Sequence, residues 1–292
     1  MEKFLRPVYE RYTKDVNTLG ILYVESVRPH SPLTENFDLI LLIIIEEADN
    51  PWCAAHYEKA GETIEVNIVT KTQLTSWIDT SGYRRAVEWI INGNIIFERN
   101  GYVKQLKAQL QNFPRKKRNL RKTIDFGKLL KSFYEAKQLY KLGEHKDAYS
   151  KIMNALQYLA RLTVLEKGYY PEVMVWNQVK NIDIEVYKLF EEFMLSDEEL
   201  DKKIELMLLA VDFMINNRAI SGALHLLEIM ETKDEWSYAE LKKHPDTKAY
   251  ALDLSVILSY LAENNYLDVI RKVSNGDNLF ELTYKARNDS PS

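Results

Sequence analysis

The densest hydrophobic stretch of the chain is Leu39-Ile-Leu-Leu-Ile-Ile-Ile45, apolar at every position. A half-buried strand alternates apolar and polar residues, so an uninterrupted run calls for cover on both faces, as in a central strand. A first apolar strand is predicted near Leu19–Val27 and the dense run lies in a second, Phe37–Glu46. Trp52–Lys59 and Thr63–Thr70 read as two further strands, separated by Ala60-Gly61-Glu62. A short helix is expected over residues 3–14, and helices at Lys71–Ile78 and Tyr83–Ile91. Asn92-Gly93-Asn94 makes a turn into a short strand at Ile95–Phe97, and Gly101 opens an amphipathic helix ending near Phe113. This pattern predicts an α/β domain over residues 1–113.

Beyond it the period changes. Pro114-Arg-Lys-Lys-Arg-Asn-Leu-Arg-Lys122 carries six basic residues in eight positions, which suits either a hinge (114–122) or the first turn of a helix. From 120 to 217 the spacing is almost purely helical. Ala148, Ile152, Ala155, Leu156, Leu159 and Leu162 form one wide stripe, and Leu200, Ile204, Met207, Leu208, Val211 and Ile215 form another. An antiparallel helical bundle follows from such stripes joined by short turns. Over 218–287 the pattern changes once more. Helices are predicted at Ala219–Thr232, Ala239–Lys243 and Ala251–Asn264, then strands at Tyr266–Val273 and Leu279–Arg287 around Asn275-Gly276. Asn-Gly between two β-like runs is the strongest short hairpin signal, and three helices before a hairpin is the plan of a winged helix. The tail 288–292 is expected to be frayed. The fold class is therefore α+β multidomain: a mixed sheet with helices, an antiparallel helical bundle and a small winged helix.

Composition narrows the function classes. A length of 292 residues suits two domains or three small ones. With 39 basic and 43 acidic residues the net charge is −4, which argues against a general binder of nucleic acid or membrane. The single Cys53 excludes an intramolecular disulfide and a cysteine-based zinc site, and the start Met-Glu-Lys-Phe-Leu-Arg-Pro lacks a signal-peptide core. A cytoplasmic protein is expected.

One segment carries candidate chemistry. The first strand ends in Glu25-Ser26, a polar loop follows, and Asn36-Phe37-Asp38 runs into the second strand. This arrangement resembles the nucleotide- and metal-binding device of the polymerase-beta-like nucleotidyltransferases, where the first strand ends in Gly-Ser and the next opens with Asp-x-Asp. Gly93-Asn-Ile-Ile-Phe-Glu-Arg-Asn-Gly-Tyr102 resembles the closing strand and turn of such domains, and Val173-Met-Val-Trp-Asn-Gln-Val-Lys180 a signature of an associated helical module. The whole chain is thus similar to bacterial nucleotidyltransferase-like proteins that join this fold to a helical domain like that of kanamycin nucleotidyltransferase and to a C-terminal winged helix.

The resemblance implies transfer of a nucleoside monophosphate from a nucleoside triphosphate to a hydroxyl, with two Mg²⁺ held by clustered carboxylates. Asp38 matches the second aspartate and is the expected metal ligand. Asn36 falls at the first aspartate and offers an oxygen without a charge; Glu65 or Asn67 falls at the third acid, Glu65 if its face is the site face. A unit-charge pair at about 4 Å is worth ~4 kcal/mol at an effective dielectric of ~20, nearly three decades of affinity. The expected outcome is a degenerate site holding at most one weak Mg²⁺. Ser26, Arg28 and Arg84 are the candidate nucleotide contacts. Glu25, in the glycine slot, adds a negative charge where a triphosphate would lie. The alternative is a non-catalytic nucleotide- or RNA-binding regulatory protein. DNA is disfavoured, because Ala251–Asn264 contains no Lys or Arg and phosphate neutralisation drives DNA affinity. Intramolecular packing or a homodimer suits the winged helix better. Arg218 and His225 match an Arg-x6-His spacing found in some helical ribonucleases, while Trp176 reads as a core residue or a substrate platform.

Overall fold

The computed structural model describes residues 2–26, 33–34, 36–80, 83–111, 113–273 and 279–287. The chain folds as two compact units: 1–114 with 170–174, and 115–169 with 175–292.

In the first unit, helix α1 (Glu2–Lys14) precedes strands β1 (Thr18–Glu25), β2 (Leu39–Ile45), β3 (Trp52–Lys59) and β4 (Glu62–Thr70). Helices α2 (Lys71–Thr80) and α3 (Arg84–Asn92), strand β5 (Asn94–Glu98) and helix α4 (Tyr102–Gln111) complete it. The strands form one mixed sheet in the order β3-β4-β2-β1-β5, with β2 parallel to β4 and the other pairs antiparallel. The expectation for the dense run is met, since all seven residues of β2 are buried. Leu39, Leu41, Ile43 and Ile45 pack on one face with Leu5 and Tyr9 of α1. Ile40, Leu42 and Ile44 point to the opposite face and are fully buried.

The β3–β4 connection departs from the expected three-residue loop. Lys59 pairs with Glu62, leaving Ala60 (φ 53°) and Gly61 (φ 83°) as a two-residue turn. Two left-handed residues match the right-handed twist of an antiparallel pair, and Glu62 is thereby drawn into the strand. The segment Tyr170–Met174 belongs to this unit although it lies far along the chain. The Tyr170 ring stacks on Phe113 with centroids 3.8 Å apart, and the Val173 amide donates to the partly buried carboxylate of Glu88. Burial pushes the Glu88 carboxyl above its ordinary pKa, and the Val173 hydrogen bond pulls against that shift.

The second unit contains α5 (Arg115–Lys141), α6 (His145–Glu166), α7 (Val175–Ile182), α8 (Ile184–Leu195), α9 (Leu200–Asn216) and α10 (Ala219–Met230). Strand β6 (Trp236–Ser237), helix α11 (Tyr238–Lys243), a 3₁₀ helix (Pro245–Tyr250), helix α12 (Leu254–Glu263) and strands β7 (Leu267–Val273) and β8 (Phe280–Ala286) follow. Residues 115–122, read as a hinge or the first turn of a helix, begin the continuous helix α5, and Arg121 and Lys122 are buried. Pro114 stands just ahead of the first turn, where a missing N–H costs nothing. The third winged-helix helix begins at Leu254 rather than Ala251, after a three-residue turn that follows the 3₁₀ helix. The C-terminal sheet has the order β6-β8-β7. The turn 274–278 and the tail 288–292 lie outside the described residues. One hydrophobic cluster runs from Ile124 in α5 through α6, α9 and α10 to Leu267 in β7, so bundle and C-terminal elements share a core.

Two close approaches set the helix packing here. Gly222 of α10 lies against Phe126, and a Cβ would stand 2.6 Å from the ring. The Gly222 carbonyl also accepts from Thr123 Oγ1 at 2.7 Å. Between α5 and α6, Arg161 Nη2 sits 2.8 Å from Asp125 Oδ1, with side-chain exposures of 5% and 0%. Removing one partner of a buried pair strands the other charge, which typically costs ~3–5 kcal/mol, whereas an apolar pair of similar volume can be neutral. Asp125→Ala is expected to lower unfolding stability by about that amount, ~3–5 kcal/mol, in urea denaturation. Asp125→Leu with Arg161→Met should recover most of it. Gly222→Ala should cost ~1–3 kcal/mol by overpacking against Phe126.

Candidate functional site

The candidate site is assembled where β1 ends and β2 and β4 begin. The Ser26 amide donates to the Asp38 carbonyl at 2.8 Å, prolonging the β1–β2 ladder by one rung. Asp38 likewise extends the β2–β4 ladder, its amide donating to the Thr63 carbonyl at 3.1 Å. Both the Thr63 amide and Thr63 Oγ1 donate to Asp38 Oδ2, each at 2.8 Å. The carboxylate thus clasps the start of β4 to the start of β2. The hydrogen bonds from the Thr63 amide and hydroxyl hold the exposed Asp38 carboxyl below its ordinary pKa.

Register then decides which side chains share the face of Asp38. In the parallel β2–β4 pair Ile40 meets Glu65 and Leu42 meets Asn67. With a side-chain period of two, Asp38, Ile40, Thr63, Glu65 and Asn67 point the same way. Glu65 and Asn67, the two candidates for the third acid, therefore share this face, but Thr63 occupies the rung beside Asp38 and Glu65 is one pleat further in. Asn36 is an exposed turn residue. Among the described residues no three His, Cys, Asp or Glu side chains are grouped to hold a metal ion.

The fit to two Mg²⁺ can be judged from the donor set. A carboxylate that bridges two cations uses both oxygens, and Asp38 Oδ2 already accepts two hydrogen bonds. Oδ1 leaves room for a single monodentate contact, and Asn36 brings no charge to share the load. These residues do not fit a two-metal centre.

The other candidates fall elsewhere. Arg84 opens α3, where it acts with Arg85 on the charge of Glu88. Arg28 lies outside the described residues, as do Pro29, His30 and Pro32. In the second unit, Arg218 Nε donates to Glu166 Oε2 at 3.1 Å, while buried His225 Nδ1 lies 3.0 Å from the Tyr250 hydroxyl. Each member of the Arg-x6-His pair thus has its own structural bond. Trp176 stacks on Phe190 at 3.9 Å and donates to Gln157, a packing role.

A set of aromatic residues near this face is absent from the sequence-based expectations. The tight turn puts Trp52 opposite Val69 and His56 opposite Glu65. Trp52 Nε1 donates to Asn67 Oδ1 at 2.9 Å, and its ring meets Trp77 edge-on at 5.2 Å and Tyr83 at 5.8 Å. Tyr83 in turn contacts Trp89, whose Nε1 donates to the Leu33 carbonyl at 2.8 Å. The His56 ring lies 4.6 Å from Phe37, the middle residue of Asn-Phe-Asp. An aromatic wall therefore runs from the edge strand to the loop that leads into Asp38. Its signal in the sequence is the spacing of Trp52 and His56 in a period of two, readable once the turn length is known.

At the other end of β1 and β2, a crevice of about 990 Å³ is lined by Val16, Asn17, Leu19, Glu46, Glu47, Ala48 and Asp49. Its three carboxylates make it a poor place for phosphate.

Comparison with known proteins bears on the fold and the family. A family model described as nucleotidyltransferase-like matches residues 1–118. A YgxA-like substrate binding domain matches residues 119–218, and a helix-turn-helix domain 224–286. The chain is 38% identical over 284 residues to "Uncharacterized protein YgxA" of Bacillus subtilis (strain 168), covering 97% of each. It belongs to the nucleotidyltransferase-like family. A solved nucleotidyltransferase-like protein from Exiguobacterium sibiricum 255-15 superposes with a TM-score of 0.81 at 35% identity, covering 98% of this chain and 99% of that one. Among the described residues no helix is long and apolar enough to cross a membrane.

The clasp makes Asp38 a structural residue of this nucleotidyltransferase-like domain whatever else it does. Asp38→Ala should lower the melting temperature, and Asp38→Asn should recover part of the loss by still accepting from Thr63. Because the folded pKa is depressed, the contribution is full above the unfolded carboxylate value of ~3.9 and fades as pH falls through the folded value. The melting difference between wild type and Asp38→Ala, followed from pH 7 downward, should shrink only in that acid window.

Proposed function

We propose that this nucleotidyltransferase-like protein binds nucleotide without efficient nucleotidyl transfer, its metal centre having degenerated into a structural clasp. The observation that carries the reading is the double donation from Thr63 to Asp38 Oδ2, at 2.8 Å each. In a transferase the equivalent carboxylate must be free to organise cations around the triphosphate, and its partner acid must share the charge. Here the partner position is Asn36, and Glu25 is exposed at the end of β1 beside Leu39. Its negative charge would face phosphate oxygens that a glycine would let approach the backbone.

What remains suits a base more than a triphosphate. Trp52 is 41% exposed and its indole is fixed by Asn67 and Trp77, so stacking on it would cost little ordering entropy. Phe37 and His56 flank the clasp. Any transfer would run weakly, with Asp38 Oδ1 and one Mg²⁺ as the remaining means, and with a hydroxyl of unspecified identity as acceptor.

Calorimetry with ATP, GTP, CTP and UTP, each with and without Mg²⁺, tests this directly. The expected result is binding that changes less than about tenfold on adding Mg²⁺. Trp52→Ala should weaken it by ~1–3 kcal/mol, the usual worth of a base–aromatic stack. A Mg²⁺-dependent gain of several decades, abolished by Asp38→Ala, would show a working metal centre and defeat the proposal.

A further inference from the structure

We propose that Glu65 selects guanine among the bases, accepting hydrogen bonds from the ring N1–H and the exocyclic amine while the purine lies against Trp52. The inference rests on the nucleotide-binding reading above and adds the identity of the base. Glu65 is only 9% exposed, yet among the described residues no hydrogen bond or ion pair ends on its carboxylate. A carboxylate withdrawn so far from water without a protein partner has lost hydration and gained nothing in exchange. A single acid is also too small a ligand set for a divalent cation. The groups around it indicate what would answer it.

Register sets Glu65 among flat rings. On β3, His56 stands opposite Glu65, Ala54 opposite Asn67 and Trp52 opposite Val69. Directly opposed residues share a face of the sheet, so Trp52, Ala54 and His56 border one shelf with Glu65 and Asn67. Trp52 and His56 are two pleats apart, about 13 Å along the strand. Ala54 puts only a methyl between them, which leaves room for a purine against the indole. That indole is 41% exposed and is held in place by its hydrogen bond to Asn67 Oδ1 at 2.9 Å.

The same bond fixes the orientation of the Asn67 amide. Its oxygen accepts from Trp52, so Nδ2 is the end left over, and this buried donor has no acceptor among the described residues. The shelf therefore offers two acceptor oxygens from Glu65 and, one pleat along β4 (about 7 Å), one donor from Asn67. Guanine carries the complement along a single edge: two adjacent donors, N1–H and the exocyclic amine, beside the O6 acceptor. Adenine and cytosine set one amine beside a ring nitrogen whose lone pair a carboxylate repels. Uracil has one N–H between two carbonyls. Guanine alone engages both carboxylate oxygens, and a bidentate pair of this kind separates bases by roughly ten- to a hundredfold.

Titration calorimetry of the full chain without Mg²⁺ can compare GTP with ATP, CTP, UTP and ITP, the last being GTP without its exocyclic amine. GTP is expected to bind at least about tenfold tighter than each of the others. In Glu65→Gln the GTP and ITP affinities should converge to within about threefold, because an amide cannot accept from both donors. If that variant fails to fold, the GTP–ITP difference in the wild type still decides the matter. Natural triphosphates binding within about threefold of one another, or ITP binding as tightly as GTP, would overturn the choice of guanine and leave nucleotide binding standing. A preference for GTP that survives Glu65→Gln would overturn the role of Glu65. Absence of binding by every triphosphate would instead remove the nucleotide-binding reading, and this inference with it.

Discussion

Everything in the first unit hangs on the complete burial of β2. Seven consecutive aliphatic side chains leave water there, and full burial of one such side chain is worth ~1.5–3 kcal/mol. That stabilisation requires partners on both edges and cover on both faces, which β1, β4, α1 and the helices after β4 supply. It also dictates where polar chemistry can begin. The first position at which the chain can present a carboxylate is the one before the run, and that position is Asp38.

Once there, the carboxylate has competing uses. An exposed acid at the mouth of a sheet can gather cations, or it can satisfy the amide and hydroxyl of the strand beside it. Thr63 tips the balance toward the second use, because it offers two donors to one oxygen. In the reading proposed above, the nucleotidyltransferase-like frame keeps its shape by the clasp rather than by metal chemistry. The same strand geometry that can position ligands here holds the ends of β2 and β4 together.

Much of this was legible in the residues. The uninterrupted run Leu39–Ile45 announced a central strand, the change of period after Pro114 announced helices, and Asn36-Phe37-Asp38 located the candidate site. The stripe through Ala148, Ile152 and Leu159 marked a core-facing helix surface, and all three are buried. What escaped depended on turn geometry and on long-range packing. Reading Ala60-Gly61-Glu62 as the loop hid the pairing of His56 with Glu65, since one residue of slip moves every side chain to the other face. The basic run 115–122 looked like surface because six charges stand close together. Helical spacing nevertheless turns Arg121 and Lys122 inward, where local composition says nothing about what they meet. Nor does the sequence show that Asp125 finds Arg161, a partner brought by the antiparallel return of α6.

The excursion of Tyr170–Met174 back to the first unit has a bearing on how this architecture can be cut and inherited. A ring on Phe113 and an amide on Glu88 come from a segment far downstream of the last helix they serve. The α/β fold is therefore not encoded by one contiguous stretch. A gene fragment ending after the sheet would leave an aromatic face bare and a partly buried carboxylate without the Val173 amide. Recombination that trades the front module alone would inherit the same gap.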